Sequence, residues 1–153
     1  MARMFLTGNP TQKIIYAVDQ TVGRGGANRK DDVLLVQLLL RVQMEGGGSE
    51  PPYCPPGRRP LAIDGICGDD TLAYIRYFQD EAQRRFPGIA PPPDGKVDPM
   101  RAGAIFSGIT HKLYMIVSLN IGYRERRGGD LYLDIGKDPL FPAALRQSFY
   151  IGS

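Results

Sequence analysis

The chain has few of the side chains on which metal binding and nucleophilic catalysis usually depend. Its 153 residues include one histidine, His111, and two cysteines, Cys54 and Cys67. A serine or cysteine nucleophile would have to use His111 as its base, and no supporting motif surrounds that residue. Zinc sites need cysteine or histidine ligands at close spacing, which these three residues do not provide. We therefore predict no metal, no cofactor and no catalytic residues of this kind.

Long apolar runs are also missing. The longest is LYMIVSLNIGY at 113–123, well short of the roughly 20 residues that span a bilayer, so we expect no membrane partner. The apolar stretch near the N-terminus is too short for a secretory signal peptide. We expect a soluble protein that is cytoplasmic at synthesis and reaches the periplasm or cell wall, if at all, by a non-classical route.

Charge of one sign is scarce as well. The net charge is only +3, and no basic run has aromatic residues interleaved with it. Both observations argue against nucleic acid as a partner. A slightly basic surface is nevertheless compatible with an anionic polymer such as those of the bacterial cell wall.

Glycine and proline, in contrast, are abundant. Of the 19 glycines and 13 prolines, most lie in four clusters, at 23–26, 46–60, 87–95 and 128–129. These clusters separate segments that can form regular structure. One such segment, DDVLLVQLLLRVQM at 31–44, is apolar around most of its circumference, which is typical of a helix inside a core. Its amide, Gln37, would be buried, so we predict that it bonds the backbone of a neighbouring loop.

The stretch AIDGICGDDTLAYIRYFQ at 62–79 concentrates acids and glycines ahead of an apolar pattern. Its carboxylates Asp64, Asp69 and Asp70 lack the alternating spacing of an EF-hand calcium loop, because the third and fifth positions would be isoleucine and glycine. We predict instead an Asp-Gly turn followed by a helix at about 70–85, which Asp69 or Asp70 would cap.

A second stretch, DGKVDPMR at 94–101, repeats this pattern. Here Asp98 would cap a third helix with Pro99 at its first position. The apolar face of that helix would consist of Ala102, Ile105, Phe106 and Ile109.

The remaining segments give weaker patterns. Residues 14–18 fit a short strand, residues 142–149 fit a short helix, and Asp31 or Asp32 would cap the helix at 31–44. Residues 113–121 fit a period of two about as well as a period of 3.6. We favour a helix for that segment.

Three segments together, DVLLVQLLL, IDGICGDDTLAYIRYFQ and PDGKVDP, resemble the peptidoglycan-binding domain family of three-helix modules. The family pattern has a glutamine in the first helix, then Asp-Gly-x-x-Gly-x-x-Thr leading to Phe-Gln, then a second Asp-Gly-x-Val. The matching signature residues are Gln37, Asp64, Gly65, Gly68, Thr71, Phe78, Gln79, Asp94 and Gly95. Upstream, TVGRGGAN resembles a subgroup that has Val-Gly-x-Gly-Gly-x-Asn ahead of the first helix.

The resemblance implies a mainly α protein with a three-helix orthogonal bundle at 31–107. An N-terminal segment at 1–30 would precede it, and a C-terminal extension at 108–153, helix or hairpin, would follow. It further implies a non-catalytic module that binds peptidoglycan through its glycan or its stem peptide. Ligand contacts would then come from the loops that frame the second helix, with Tyr53, Arg58, Arg59, Asp64, Tyr74 and Tyr77 as candidates.

Other functions stay open. The same fold could serve an interaction or adaptor protein of a phage or contractile secretion apparatus, with a secretion or lysis protein as its partner. A cell-wall hydrolase would need two carboxylates, and Glu45 with Asp64 or Asp94 is the available pair. Cys54 and Cys67 could form a disulfide in an oxidising compartment or stay reduced in the cytoplasm.

Overall fold

The computed structural model describes residues 2–7, 9, 12–47, 51–101, 104–108 and 110–151. Within these residues the chain forms five α-helices and two antiparallel pairs of short strands, so the prediction of a mainly α fold is confirmed. The strands are β1 (Arg3–Leu6), β2 (Ile14–Ala17), β3 (Val22–Gly23) and β4 (Lys96–Val97). The helices are α1 (Lys30–Gln43), α2 (Asp69–Arg85), α3 (Met115–Arg127), α4 (Gly129–Leu133) and α5 (Ala143–Ile151).

Helix α1 is the centre of the core. Its side chains from Asp32 to Leu40 are all buried, and α2, α3, α5 and strand β2 pack around it. A helix that is apolar on nearly all sides is stable only when other elements cover every side. The sequence pattern therefore predicted both the helix and its central place, and α1 and α2 begin and end within one residue of the predicted segments.

The predicted caps are wrong, because neither α1 nor α2 has a side-chain hydrogen bond at its N-cap. Asp32 instead accepts hydrogen bonds from the backbone N–H groups of Asp19 and Gln20, both at 2.9 Å. Burial raises the pKa of its carboxyl group above the usual value. Asp31 accepts the N–H of Ala2 at 2.8 Å. The acids of the first turn thus hold the N-terminal chain against α1 rather than capping the helix.

The third helix does not form where it was predicted. The described residues of that segment, 98–101 and 104–108, contain no helix, while Ala102 and Ile109 lie outside the described residues. Phe106 pairs with Leu113 across an antiparallel bridge, and the Ser107 N–H donates to the Lys112 carbonyl at 2.8 Å. Glycine at position 108 disfavours a helix there. Pairing across the turn gives backbone N–H and C=O groups the hydrogen bonds that a helix would otherwise provide.

The segment that fitted both periods is helical. Helix α3 begins at Met115 and packs against α1, and a 3₁₀ turn at Ile135–Lys137 connects α4 to α5. The predicted strand at 14–18 and short helix at 142–149 are confirmed by β2 and α5. Buried residues from Ala2 to Leu145 belong to one core, so packing is continuous across the predicted boundary at residue 107.

A buried polar network joins β2 to α3 and α4. The Asn120 Oδ1 atom accepts the N–H of Tyr16 at 2.8 Å and the hydroxyl of Tyr132 at 2.7 Å. The Tyr16 hydroxyl donates to the carbonyl of Tyr132 at 2.6 Å. Each bond lies in the interior, where losing one partner would leave the other unsatisfied. The network therefore fixes α3 and α4 against the N-terminal hairpin.

Candidate functional site

The first Asp-Gly turn is held by the buried amide of Gln37. Its Oε1 accepts the backbone N–H groups of Asp64 and Gly65 at 3.0 and 2.9 Å. Its Nε2 lies 3.0 Å from each of three acceptors: the Ile66 carbonyl, Asp64 Oδ1 and Thr71 Oγ1. The prediction that Gln37 bonds the backbone of a neighbouring loop is therefore confirmed.

The second Asp-Gly turn is held in the same way by Gln79. Its Oε1 accepts the N–H of Gly95 at 2.8 Å, and its Nε2 donates to the Lys96 carbonyl at 3.0 Å and to Asp94 Oδ1 at 3.2 Å. Gly65 and Gly95 have φ angles of +77° and +76°, a backbone region that side chains disfavour. Turn geometry thus accounts for the two glutamines and both Asp-Gly pairs.

The stretch VGRGGAN at 22–28 comprises β3 and the loop that follows it, and it packs on the second turn. Asn28 Oδ1 accepts the N–H of Gly23 at 2.7 Å, and Asn28 Nδ2 donates to the carbonyls of Gly23 and Gly26, both at 3.1 Å. A Cβ atom at Gly23 would lie 2.3 Å from the carbonyl oxygen of Gly95. The glycine is therefore required for the close approach of β3 to β4.

The predicted ligand residues fall into separate environments. Tyr74 is 1% exposed and its hydroxyl donates to the Arg59 carbonyl at 2.7 Å, so it offers no stacking face. Arg58 and Arg59 pair with Asp70 at 2.9 and 3.0 Å on the surface. The Arg59 and Arg58 guanidinium groups lower the pKa of the Asp70 carboxyl. The others are placed differently again: Asp64 in its turn, half-buried Tyr77 on α2, and Tyr53 in the cleft described below.

The carboxylates considered for a hydrolase are already engaged. The two Glu45 oxygens pair with Arg41 at 3.2 Å and Arg127 at 3.1 Å, while Asp64 and Asp94 bond their own turns. Across the described ranges, no three His, Cys, Asp or Glu side chains meet where a metal ion could bind.

Both cysteines are free thiols in the structure, so the disulfide is not formed. The Cys54 sulfur lies 3.5 Å from the Tyr74 hydroxyl. Cys67 is partly buried beside Gly23, and burial raises the pKa of its thiol. The two sulfurs thus contact different elements.

A concave, mainly apolar surface lies between the end of α2 and α3. This cleft has a volume of about 200 Å³, and its walls include Tyr53, Phe78, Ala82, Leu113 and Ile121. Two large apolar side chains at its rim, Phe86 and Ile89, are 47% and 45% exposed. A concave apolar site with a few polar groups is the usual form of a ligand site. Of the predicted ligand residues, only Tyr53 lines the cleft.

One wall of the cleft is a loop that Arg126 attaches to α3. The Arg126 guanidinium donates to the carbonyls of Glu45 at 2.8 Å, Pro51 at 2.6 Å and Gly122 at 3.0 Å. The Tyr53 N–H donates to the Gln43 carbonyl at 2.7 Å. These bonds place the Tyr53 ring in the cleft although it follows a glycine-rich segment.

The floor of the cleft contains a buried amide. Gln43 Nε2 donates to the Leu119 carbonyl at 2.8 Å, whereas Gln43 Oε1 is buried without a hydrogen-bond partner in the described residues. A Cβ atom at Gly122 would lie 2.1 Å from this Oε1 atom. Gly122 therefore makes room for the amide between α1 and α3.

Sequence patterns did not indicate the cleft, because its walls come from four separate segments. The one local signal that could have pointed to its rim is RFPGIA at 85–90, where two large apolar residues flank a Pro-Gly pair that ends a helix. None of the helices in the described part of the chain is long and apolar enough to cross a bilayer. Comparisons with protein-family models, with curated proteins and with solved structures found no match to this chain.

Proposed function

We propose that the chain is a non-catalytic module that binds peptidoglycan, and that the cleft between α2 and α3 is its docking site. We further propose that α1, α2 and α3, with the two Asp-Gly turns, form a three-helix bundle of the peptidoglycan-binding type. In this bundle the Phe106–Leu113 pairing lies between the second Asp-Gly turn and the third helix, so the repeated sequence pattern ends before α3 begins.

The cleft is the observation that carries this proposal. Its rim exposes Phe86 and Ile89, although exposing large apolar side chains to water is unfavourable. Both lie beside a concave surface that one ligand group could fill. The Arg126 bonds to the Glu45 and Pro51 carbonyls hold the loop wall of the cleft against α3, so the cleft is formed before a ligand arrives. This function requires no catalytic residue.

Sedimentation with purified, insoluble peptidoglycan sacculi tests the proposal. We expect the full chain to sediment with sacculi and to stay in solution without them. The variant Phe86→Ser/Ile89→Ser should remain in the supernatant, because it removes the apolar rim. The matched control is Leu133→Ser, which changes an apolar side chain that is 61% exposed on α4. If the control sediments with sacculi and the rim variant does not, binding is assigned to the cleft.

An adaptor of a phage or secretion apparatus is the second candidate, and the exposed apolar rim favours it as well, because such patches often contact proteins. A wild-type protein that stays in the supernatant with sacculi would exclude wall binding and favour this alternative. A hydrolase would instead lower the turbidity of a sacculus suspension, and Glu45→Gln would abolish that loss.

A further inference from the structure

Two guanidinium groups flank the aromatic ring in the cleft. The Cζ atom of Arg85 lies 5.9 Å from the ring centroid of Tyr53, and the Cζ atom of Arg126 lies 5.2 Å from it. Arg85 Nη1 also donates to the Tyr53 hydroxyl at 2.6 Å. Both arginines are partly exposed. Positive charge is therefore concentrated beside the apolar walls.

The charges around the cleft are unequal. Arg85, Arg126 and Lys112 are close to it, and Lys112 Nζ donates to the Gly88 carbonyl at 2.7 Å, next to the rim. Among the described side chains that line the cleft, Arg126 is the one cation and Glu125 the one carboxylate, while Arg85 and Lys112 add positive charge beside the lining. This excess of cations favours a ligand that carries carboxylates.

The shape of the cleft limits the ligand further. A volume of about 200 Å³ is below the range of roughly 300–1,000 Å³ that is typical of sites for drug-sized ligands. Its enclosed space has room for one small residue, so a stretch of glycan would have to lie outside it. Sugar hydroxyls facing its apolar walls would also lose hydrogen bonds to water without replacement. Small apolar groups meet no such penalty.

We propose that the cleft receives the stem peptide of peptidoglycan rather than its glycan. The stem peptide combines alanine methyl groups with free carboxylates, which matches an apolar cleft beside two arginines. A methyl group would pack against Phe78 and Ile121, and a neighbouring carboxylate would interact with Arg85 and Arg126. This inference rests on the proposed wall binding and adds which part of the polymer is recognised.

Three binding measurements with the full chain test the inference. The probes are intact sacculi, immobilised glycan strands from which an amidase has removed the peptides, and free stem peptide as a competitor. We expect binding to sacculi, no binding to peptide-free glycan, and release from sacculi by the peptide. Binding should also weaken as the ionic strength rises, because the interaction is partly between charges.

A matched pair of variants on α2 tests the role of charge. Arg85→Gln removes one of the two cations and should weaken binding to sacculi on the order of tenfold. Arg84→Gln is the control, since Arg84 is exposed, pairs with Glu81 at 2.7 Å and is not among the residues that line the cleft. Circular dichroism spectra and melting curves would show whether both variants keep the native fold.

The outcomes separate the two proposals. Equal binding to intact sacculi and to peptide-free glycan would overturn the stem-peptide inference while leaving wall binding in place. Wild-type affinity of a folded Arg85→Gln variant would also overturn it. Absence of binding to all probes would overturn the proposed function itself.

Discussion

The Oε1 atom of Gln37 accepts the backbone N–H of Gly65 at 2.9 Å, and this bond joins the central helix to a turn 28 residues away. The second copy of the pattern repeats the arrangement, with Gln79 Oε1 at 2.8 Å from the N–H of Gly95. In each case a helical amide satisfies a turn whose glycine has a positive φ angle. The two glutamines thus have the same structural role, to hold the turn that follows their helix.

Replacing Gln37 with methionine should destabilise the fold by about 2–3 kcal/mol. The side chain keeps its length, but the N–H groups of Asp64 and Gly65 lose their acceptor and the amide donor is also lost. Urea unfolding followed by circular dichroism measures the change.

Two further variants check this explanation. Gln79→Met should lose a similar amount, because its amide also bonds a turn. Gln20→Met, at an exposed position, should change the free energy of unfolding by less than about 0.5 kcal/mol. A Gln37→Met variant as stable as the wild type would contradict the assigned role.

Replacing Gly122 with alanine should destabilise the protein by about 1–3 kcal/mol. Alanine favours helices, so an unhindered site would show a gain instead. Here the new Cβ atom would lie 2.1 Å from Gln43 Oε1, and the buried amide would have to leave its bond to the Leu119 carbonyl.

The double variant Gly122→Ala/Gln43→Ala tests this conflict directly. Removing the amide should recover part of the stability that Gly122→Ala loses, so the two changes should not be additive in thermal or urea unfolding. Additive effects would show that the Cβ atom conflicts with something other than Gln43.

Replacing Arg126 with methionine should release the loop that forms one wall of the cleft. Its bonds to the carbonyls of Glu45 and Pro51 would be lost. The Tyr53 N–H, which donates to the Gln43 carbonyl, should then exchange with solvent at least about tenfold faster in native-state hydrogen exchange. Arg84→Met is the control and should leave this rate unchanged.

The stabilising contribution of the Asp64 carboxylate should be lost in acid. Hydrogen bonds from the Ile66 N–H and the Gln37 amide lower the pKa of its carboxyl below the ordinary value of 3.8. A carboxyl whose folded pKa is lowered stabilises the fold above its unfolded pKa, and this contribution is lost as the pH falls through the folded pKa. Asp64→Asn keeps an oxygen acceptor but cannot titrate.

The free energy of unfolding, measured from pH 7 downwards, gives the test. We expect the stability advantage of the wild type over Asp64→Asn to be constant near neutral pH and to shrink below about pH 4. Asp80→Asn, at an exposed position on α2, serves as the control. An advantage that did not change with pH would contradict the role of the Asp64 charge.

Local patterns predicted the parts of the fold whose signals agree with their surroundings. The apolar circumference of 31–44 required a central helix, and the amide of Gln37 within it required partners. The helix prediction for 98–109 was wrong because the local signal there disagrees with the surroundings. Its apolar residues have helical spacing, but Phe106 pairs with Leu113 across a turn. A search for helical periodicity does not test whether two residues can pair across a turn.

The sequence by itself determined the two long helices, the two Asp-Gly turns and the role of Gln37, because these features depend on residues close together or on the burial of one helix. Only the tertiary structure decided where the third helix begins, that Asp32 bonds a distant turn rather than a cap, and that Tyr74 is buried. It also decided the cleft. Tyr53, Phe86 and Ile121 are neighbours there only because α2, α3 and the Arg126-bound loop pack together.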